Sequence, residues 1–224
     1  MTLPIKHAWF VVYKMELIKF SQISDVSILD SSGVYAWYYK VSLGNKDIED
    51  LLETLQSKSR LEKEELVKRF LNRHFYQYFK ESNYLASIKG KLMPQFEGEL
   101  IHVDQSSKSL ISNIVDNPKS LWQIKDFISK LSVDLSSPIY IGMADSLRSR
   151  LNHHKNLIEK FKSEHFISDS TEDRDHNFAA RVVSRKMLVK NLSVSIHYVE
   201  SDIKLHNLLE NLINRISYPV LGRN

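Results

Sequence analysis

The 224-residue chain contains no cysteine. That absence excludes a disulfide scaffold and any zinc site built on thiolates, and it fits a reducing compartment. Long apolar runs are missing too, and the longest falls far short of the roughly 20 residues that cross a bilayer. The opening stretch, MTLPIKHAWFVVYKMELIKF, holds a short apolar patch broken by Lys14 and Glu16. It has neither the long apolar core nor the small-residue cleavage site of a secretory signal, so a cytoplasmic chain without membrane association is expected. No internal repeat or low-complexity tract is visible. The hydrophobic fraction of 42% and charged fraction of 26% are ordinary for a folded protein. A formal charge of +4 and a pI near 9.0 are compatible with a polyanionic partner without requiring one.

The residues that are present order themselves into elements. Residues 1 to about 30 are mixed. Val34 to about Leu43 is rich in β-branched and aromatic residues and reads as a strand. Asn45 and the acidic run after it open a helix, and a longer one follows from about Leu61 to Lys80. Lys68, Arg69, Arg73 and Lys80 lie between its apolar anchors, either as DNA contacts or as a solvated face. YLASIKGKLMPQFEGELIHV reads as two short strands about a turn at Pro94–Gly98. Ser107–Leu131 is helical, with Pro118 starting its latter half. SSPIYIGMA is a short apolar strand, and Asp145 to about Glu164 a helix. DSTEDRDHN is a polar loop. Phe178 to about Lys190 is helical, LSVSIHYVE is a strand, and Asp202 to about Ser217 is the last helix. One α/β domain, 1–43 with 135–224, is thus interrupted by a mostly helical insert over 44–134 that carries a short hairpin.

Periodicity orients the two helices that matter most. In the first, Leu147, Leu151, Ile158 and Phe161 form one apolar stripe. His154 falls inside it and Arg150 on its edge, one turn away. His153 is turned off by about 100°. Arg148 points elsewhere, as a solvated or DNA-facing charge. In the last helix Leu205, Leu208, Leu209, Leu212, Ile213 and Ile216 make an inner face with Glu210 off its centre. The cluster His153, His154, Lys155 lacks metal-ligand spacing. Taken singly, each of these residues is an ordinary core or surface residue.

Their joint order is less ordinary. Gly33-Val34-Tyr35 sits on the first strand and Tyr140-Ile141-Gly142 on the second. Eight residues beyond Gly142 comes Arg150, then His154 four later, and a glutamate, Glu210, lies on the closing helix. This pattern resembles the GIY-YIG endonuclease family. The resemblance covers roughly 31–43 and 136–224. It implies a small three-stranded sheet flanked by helices. It also implies catalytic roles for Tyr35, Tyr140, Arg150, His154 and Glu210, with Glu210 as the metal ligand. Gly33, Gly142, Arg181 and Asn224 would support the site, Asn224 mapping to a late asparagine of the family.

The chemistry coheres with that assignment. Phosphodiester hydrolysis needs an activated water and neutralised charge. Mg²⁺, or Mn²⁺ in its place, suits a site of one carboxylate, water and phosphate oxygens. Arg150 offers a guanidinium fork to phosphate. Tyr35 is the leading base and Tyr140 a phosphate or water ligand, two roles that the sequence does not separate. His154 would accept a proton or orient Tyr35. The expected activity is divalent-metal-dependent cleavage of DNA by a restriction or phage-defence enzyme, with the 44–134 insert choosing the target. Double-strand cutting by one site per chain would call for a homodimer or for two successive binding events. The alternatives are a nucleic-acid-binding module on an inactive nuclease fold, or a structure-specific repair or recombination nuclease.

Overall fold

The computed structural model describes residues 12–14, 17–80, 83–90, 93–101, 107–130, 136–163, 178–199 and 205–222. In chain order the elements begin with strands β1 (Val12–Lys14), β2 (Ile18–Lys19) and β3 (Gly33–Tyr39). Helices α1 (Asn45–Gln56) and α2 (Arg60–His74) follow, then strands β4 (Tyr84–Gly90) and β5 (Met93–Leu100). Next come α3 (Lys108–Asp116), α4 (Ser120–Lys130), β6 (Tyr140–Ala144) and α5 (Leu147–Ser163). The chain continues with α6 (Phe178–Ser184), β7 (Leu192–Val199) and α7 (Leu205–Ser217). The protein is mixed α/β and divides into two compact units, Met1–Lys40 with Ser132–Asn224, and Val41–Leu131.

The first unit is built on an antiparallel sheet with β3 between β6 and β7. Two further short strands, β1 and β2, both pair with β7. The sheet therefore has five strands where three were expected. At three and two residues, β1 and β2 are too short to show the alternation that marks a strand in sequence. Every residue of β3 is buried or half-buried, because helices cover both its faces. On one face Tyr35 and Trp37 lie under α5 and α6, through ring contacts with His154 and Phe178. On the other, Val34 and Ala36 meet Ile141, Met143 and Val199 beneath Leu209 and Ile213 of α7.

Several boundaries differ from expectation for identifiable reasons. The strand from Val34 stops at Tyr39, and Leu43 instead joins the core of the second unit. The helix over Leu61–Lys80 ends at His74 and continues as a 3₁₀ turn over Tyr76–Phe79. The helix from Phe178 ends at Ser184, and Lys186 just beyond has φ 55, a left-handed geometry that cannot continue a helix. The residues of the polar loop DSTEDRDHN lie outside the described ones. The apolar face of α7 is split. Leu209 and Ile213 pack on the sheet, whereas Leu208, Leu212 and Ile216 are exposed. A helix laid on one sheet buries a single stripe, and the sequence supplies two.

The second unit has its own core, in which Ile48, Leu51, Leu55, Val67, Leu71, Ile114 and Leu121 are buried together. Its helices start on local signals. Ser59 N–H and Oγ both donate to Glu62, a capping box that holds the Glu62 carboxyl below its ordinary value. The basic positions of α2 are interleaved with acids: Arg69 pairs with Glu65, and Arg60 with Glu64 and Asp116. Its outer surface is thus charge-mixed, as on a solvated helix. The turn expected at Pro94–Gly98 is instead part of β5, and the hairpin closes between Gly90 and Met93. Proline is tolerated there because β5 is an edge strand.

Candidate active site

Two adjacent strands set the floor of the site. In the β3–β6 register Tyr35 lies opposite Gly142 and Trp37 opposite Tyr140, which puts Tyr35, Trp37 and Tyr140 on one face of the sheet. The Tyr35 and Tyr140 rings approach to 6.2 Å between centroids. Gly142 leaves room for this. A Cβ there would stand 2.5 Å from the Tyr35 hydroxyl oxygen and 3.0 Å from Tyr140 Cε1. Gly33 meets a similar limit, since a Cβ would run into the His197 carbonyl and the Leu147 side chain. Both motif glycines are therefore steric requirements of this packing.

Helix α5 starts close behind β6. The Ser146 hydroxyl accepts from the Ser149 N–H at 3.2 Å and also bonds to Asp30, which fixes the first turn. Leu147, Leu151, His154 and Ile158 are buried on one stripe, with His153 outside it. Arg148 is exposed, as expected, and its Nε also donates to the Ile28 carbonyl at 2.6 Å. Lys155 similarly donates to Ser24 at 2.8 Å. These two cations tie α5 to the 20–30 segment, which no helix periodicity could reveal.

Tyr35, His154 and Arg150 form one hydrogen-bonded group. Tyr35 Oη and His154 Nε2 are 2.8 Å apart, and Arg150 Nε donates to Tyr35 Oη at 3.3 Å. The Tyr35 oxygen accepts from Arg150 and shares a second hydrogen bond with Nε2, whose direction is set by the His154 tautomer. His154 Nδ1 is buried and has no partner among the described residues. Phe178 closes the pocket wall, 4.7 Å from the Tyr140 ring and 5.2 Å from His154. Sequence reading had placed Phe178 only at a helix start. An aromatic directly after a polar loop was the available signal.

Burial dominates the electrostatics. It pushes the Tyr35 phenol well above its ordinary value, aided by Tyr140 and opposed by Arg150. It pulls His154 down to about 3, with Arg150 and His153 adding repulsion. At neutral pH the pair is therefore a neutral phenol hydrogen-bonded to a neutral imidazole, beside a guanidinium.

The remaining expected residues stand apart from this group. Glu210 is half-buried on α7 and accepts from Asn214 Nδ2 at 3.2 Å. Because α7 covers the opposite face of the sheet, Glu210 and Tyr35 lie on opposite sides of it. The donor chemistry fits a hard cation nonetheless. Glu210 has no cationic partner among the described residues, and Asn214 Oδ1 is buried without a hydrogen bond. No cluster of three or more potential ligands occurs among the described residues, so any metal there would complete its shell with water and substrate. Arg181 clamps the segment that follows α7. Its NH1 donates to the carbonyls of Leu221 and Gly222 at 2.8 and 2.9 Å. Leu221, wholly buried, also donates its N–H to the Ile139 carbonyl at 2.6 Å, beside Tyr140. Asn224 lies outside the described residues. No helix among the described residues is long and apolar enough to cross a membrane. No family model, curated protein or solved structure matches the chain.

Proposed function

We propose that this chain is a divalent-metal-dependent endonuclease that hydrolyses phosphodiester bonds of DNA, of the GIY-YIG type. The observation that carries the reading is the hydrogen-bonded group of buried Tyr35 and His154 with exposed Arg150, and Tyr140 beside it. The β6–β3–β7 core with helices on both faces supports the same assignment.

The geometry suggests how the water is activated. A free tyrosinate at Tyr35 is costly, because burial raises its proton affinity. The Tyr35 hydroxyl, held between Arg150 and His154, instead orients the attacking water, and His154 keeps the phenol in place. Arg150, exposed and bonded to Tyr35, offsets charge on the phosphate oxygens. Tyr140, half-buried at the start of the edge strand, is placed to position the phosphate or the water. A cation at Glu210 would neutralise charge on the leaving oxygen. The Val41–Leu131 unit is assigned target choice.

The test is incubation of the full chain with plasmid and branched DNA plus Mg²⁺, followed by end mapping. Tyr35→Phe and Arg150→Ala, both with unchanged far-UV circular dichroism, should each lose at least about 100-fold in rate. Undiminished cleavage by both variants would refute the proposed roles.

A further inference from the structure

The chain leaves α7 by a sharp reversal. Tyr218 has φ 43 and its N–H donates to the Asn214 carbonyl at 3.0 Å, a left-handed cap that ends the helix, and Pro219 cannot continue it. The residues that follow are tied down. Pro219 and Leu221 are buried, and the Gly222 N–H closes a turn on the Pro219 carbonyl at 2.8 Å. Arg181 Nη1 holds the Leu221 and Gly222 carbonyls. The tail thus links α7, on one face of the sheet, to α6, on the other.

These contacts form a closed ring that runs through Tyr140. The Leu221 N–H donates to the Ile139 carbonyl, and the Ile139 N–H donates to the Trp37 carbonyl at 2.8 Å, so the residue before Tyr140 is held by two bonds. The Tyr140 ring lies 4.7 Å from that of Phe178. Phe178 opens α6, and Arg181, one turn on, reaches back to Leu221. Neither strand nor helix is secure without this closure. Tyr140 is the first residue of β6, which pairs with β3 alone among the described strands. Helix α6 has seven residues, too few to stand by itself, so its contacts set its position. We propose that Arg181 is a positioning residue: by holding the Leu221 and Gly222 carbonyls it closes the ring of contacts that fixes Tyr140 in the site. Both bonds are charge-assisted and come from one rigid guanidinium, which suits them to set a geometry. That Tyr140 meets phosphate or water rests on the nuclease reading, whereas the ring of contacts does not.

Ring-fluorinated tyrosine incorporated throughout the chain gives a fluorine resonance for each tyrosine, and Tyr140→Phe identifies the one that belongs to Tyr140. In Arg181→Met this resonance should shift or broaden, while that of Tyr198 on β7 stays in place. Arg181→Lys, a point donor able to reach one carbonyl, should lie between the two. With unlabelled protein, plasmid DNA and Mg²⁺, Arg181→Met should lose about 10- to 100-fold in kcat at unchanged KM, and Arg181→Lys should recover part of it. An unmoved Tyr140 resonance or an undiminished kcat would overturn the inference. So would a loss confined to KM, which would make Arg181 a DNA contact. If Arg181→Met does not fold, the Tyr140 resonance and kcat of Arg181→Lys decide in the same way. A moved resonance in a chain whose native form cuts no DNA would uphold the ring of contacts and refute the nuclease reading.

Discussion

The most demanding prediction concerns His154, because it needs no assumption about substrate. Its ring is 4% exposed, and burial lowers its pKa from an ordinary 6.5 to about 3. In the unfolded chain the same imidazole titrates normally. Between about pH 6.5 and 3 the unfolded state thus holds a proton that the folded state refuses. The sign follows: the contribution to stability is complete above 6.5 and is lost as pH falls toward 3. Each pH unit in that window removes up to about 1.4 kcal/mol, so acidification from 6.5 to 4 costs about 3 kcal/mol. That is a large share of the roughly 5–15 kcal/mol that holds a typical domain together.

The assay is urea unfolding at pH steps from 7 to 4 on the native chain and on His154→Gln. Other titrating groups, including His74, which burial also lowers, are common to both proteins. The difference between them isolates His154. The variant starts less stable, but its curve should fall more gently, and the gap should narrow by about 3 kcal/mol by pH 4. Parallel curves would mean that His154 is solvated in the folded chain.

Two further predictions rest on packing. Gly142→Ala puts a methyl 2.5 Å from the Tyr35 oxygen, in a ring with no exposed surface. Tyr35 must move by nearly 1 Å, and cleavage should drop about 100-fold with the fold intact by circular dichroism; wild-type rates would contradict the steric account. Arg181→Met removes two charge-assisted bonds to the tail carbonyls. It should cost about 2–3 kcal/mol in urea unfolding, and an unchanged midpoint would show that the clamp is idle.

The parts of the site legible in the sequence were those set by short-range geometry. One helical turn separates Arg150 from His154, and an apolar stripe says which histidine turns inward, so α5 is oriented from its own residues. The order of strands and helices was legible for the same reason. Contacts across the chain were not. Arg148 finds a carbonyl 120 residues away, and Arg181 holds carbonyls 40 and 41 residues on. Both look like free charges in sequence because their partners are backbone oxygens, which every residue has. The division of α7 into a sheet-facing pair and an exposed trio was hidden too. Periodicity shows which residues are apolar, and only the tertiary fold shows how wide a stripe is covered.

The pairing of Trp37 with Tyr140 has a consequence for how the protein folds. The two residues are about a hundred positions apart, and all of Val41–Leu131 lies between them. Closing a disordered loop of that length slows the search for register, and the β3–β6 ladder is almost wholly non-local. A folded intervening unit shortens the effective loop before the strands meet. The core around Ile48, Val67 and Leu121 thereby governs how fast Tyr35 is brought to Tyr140. A cavity made there would slow assembly of the site.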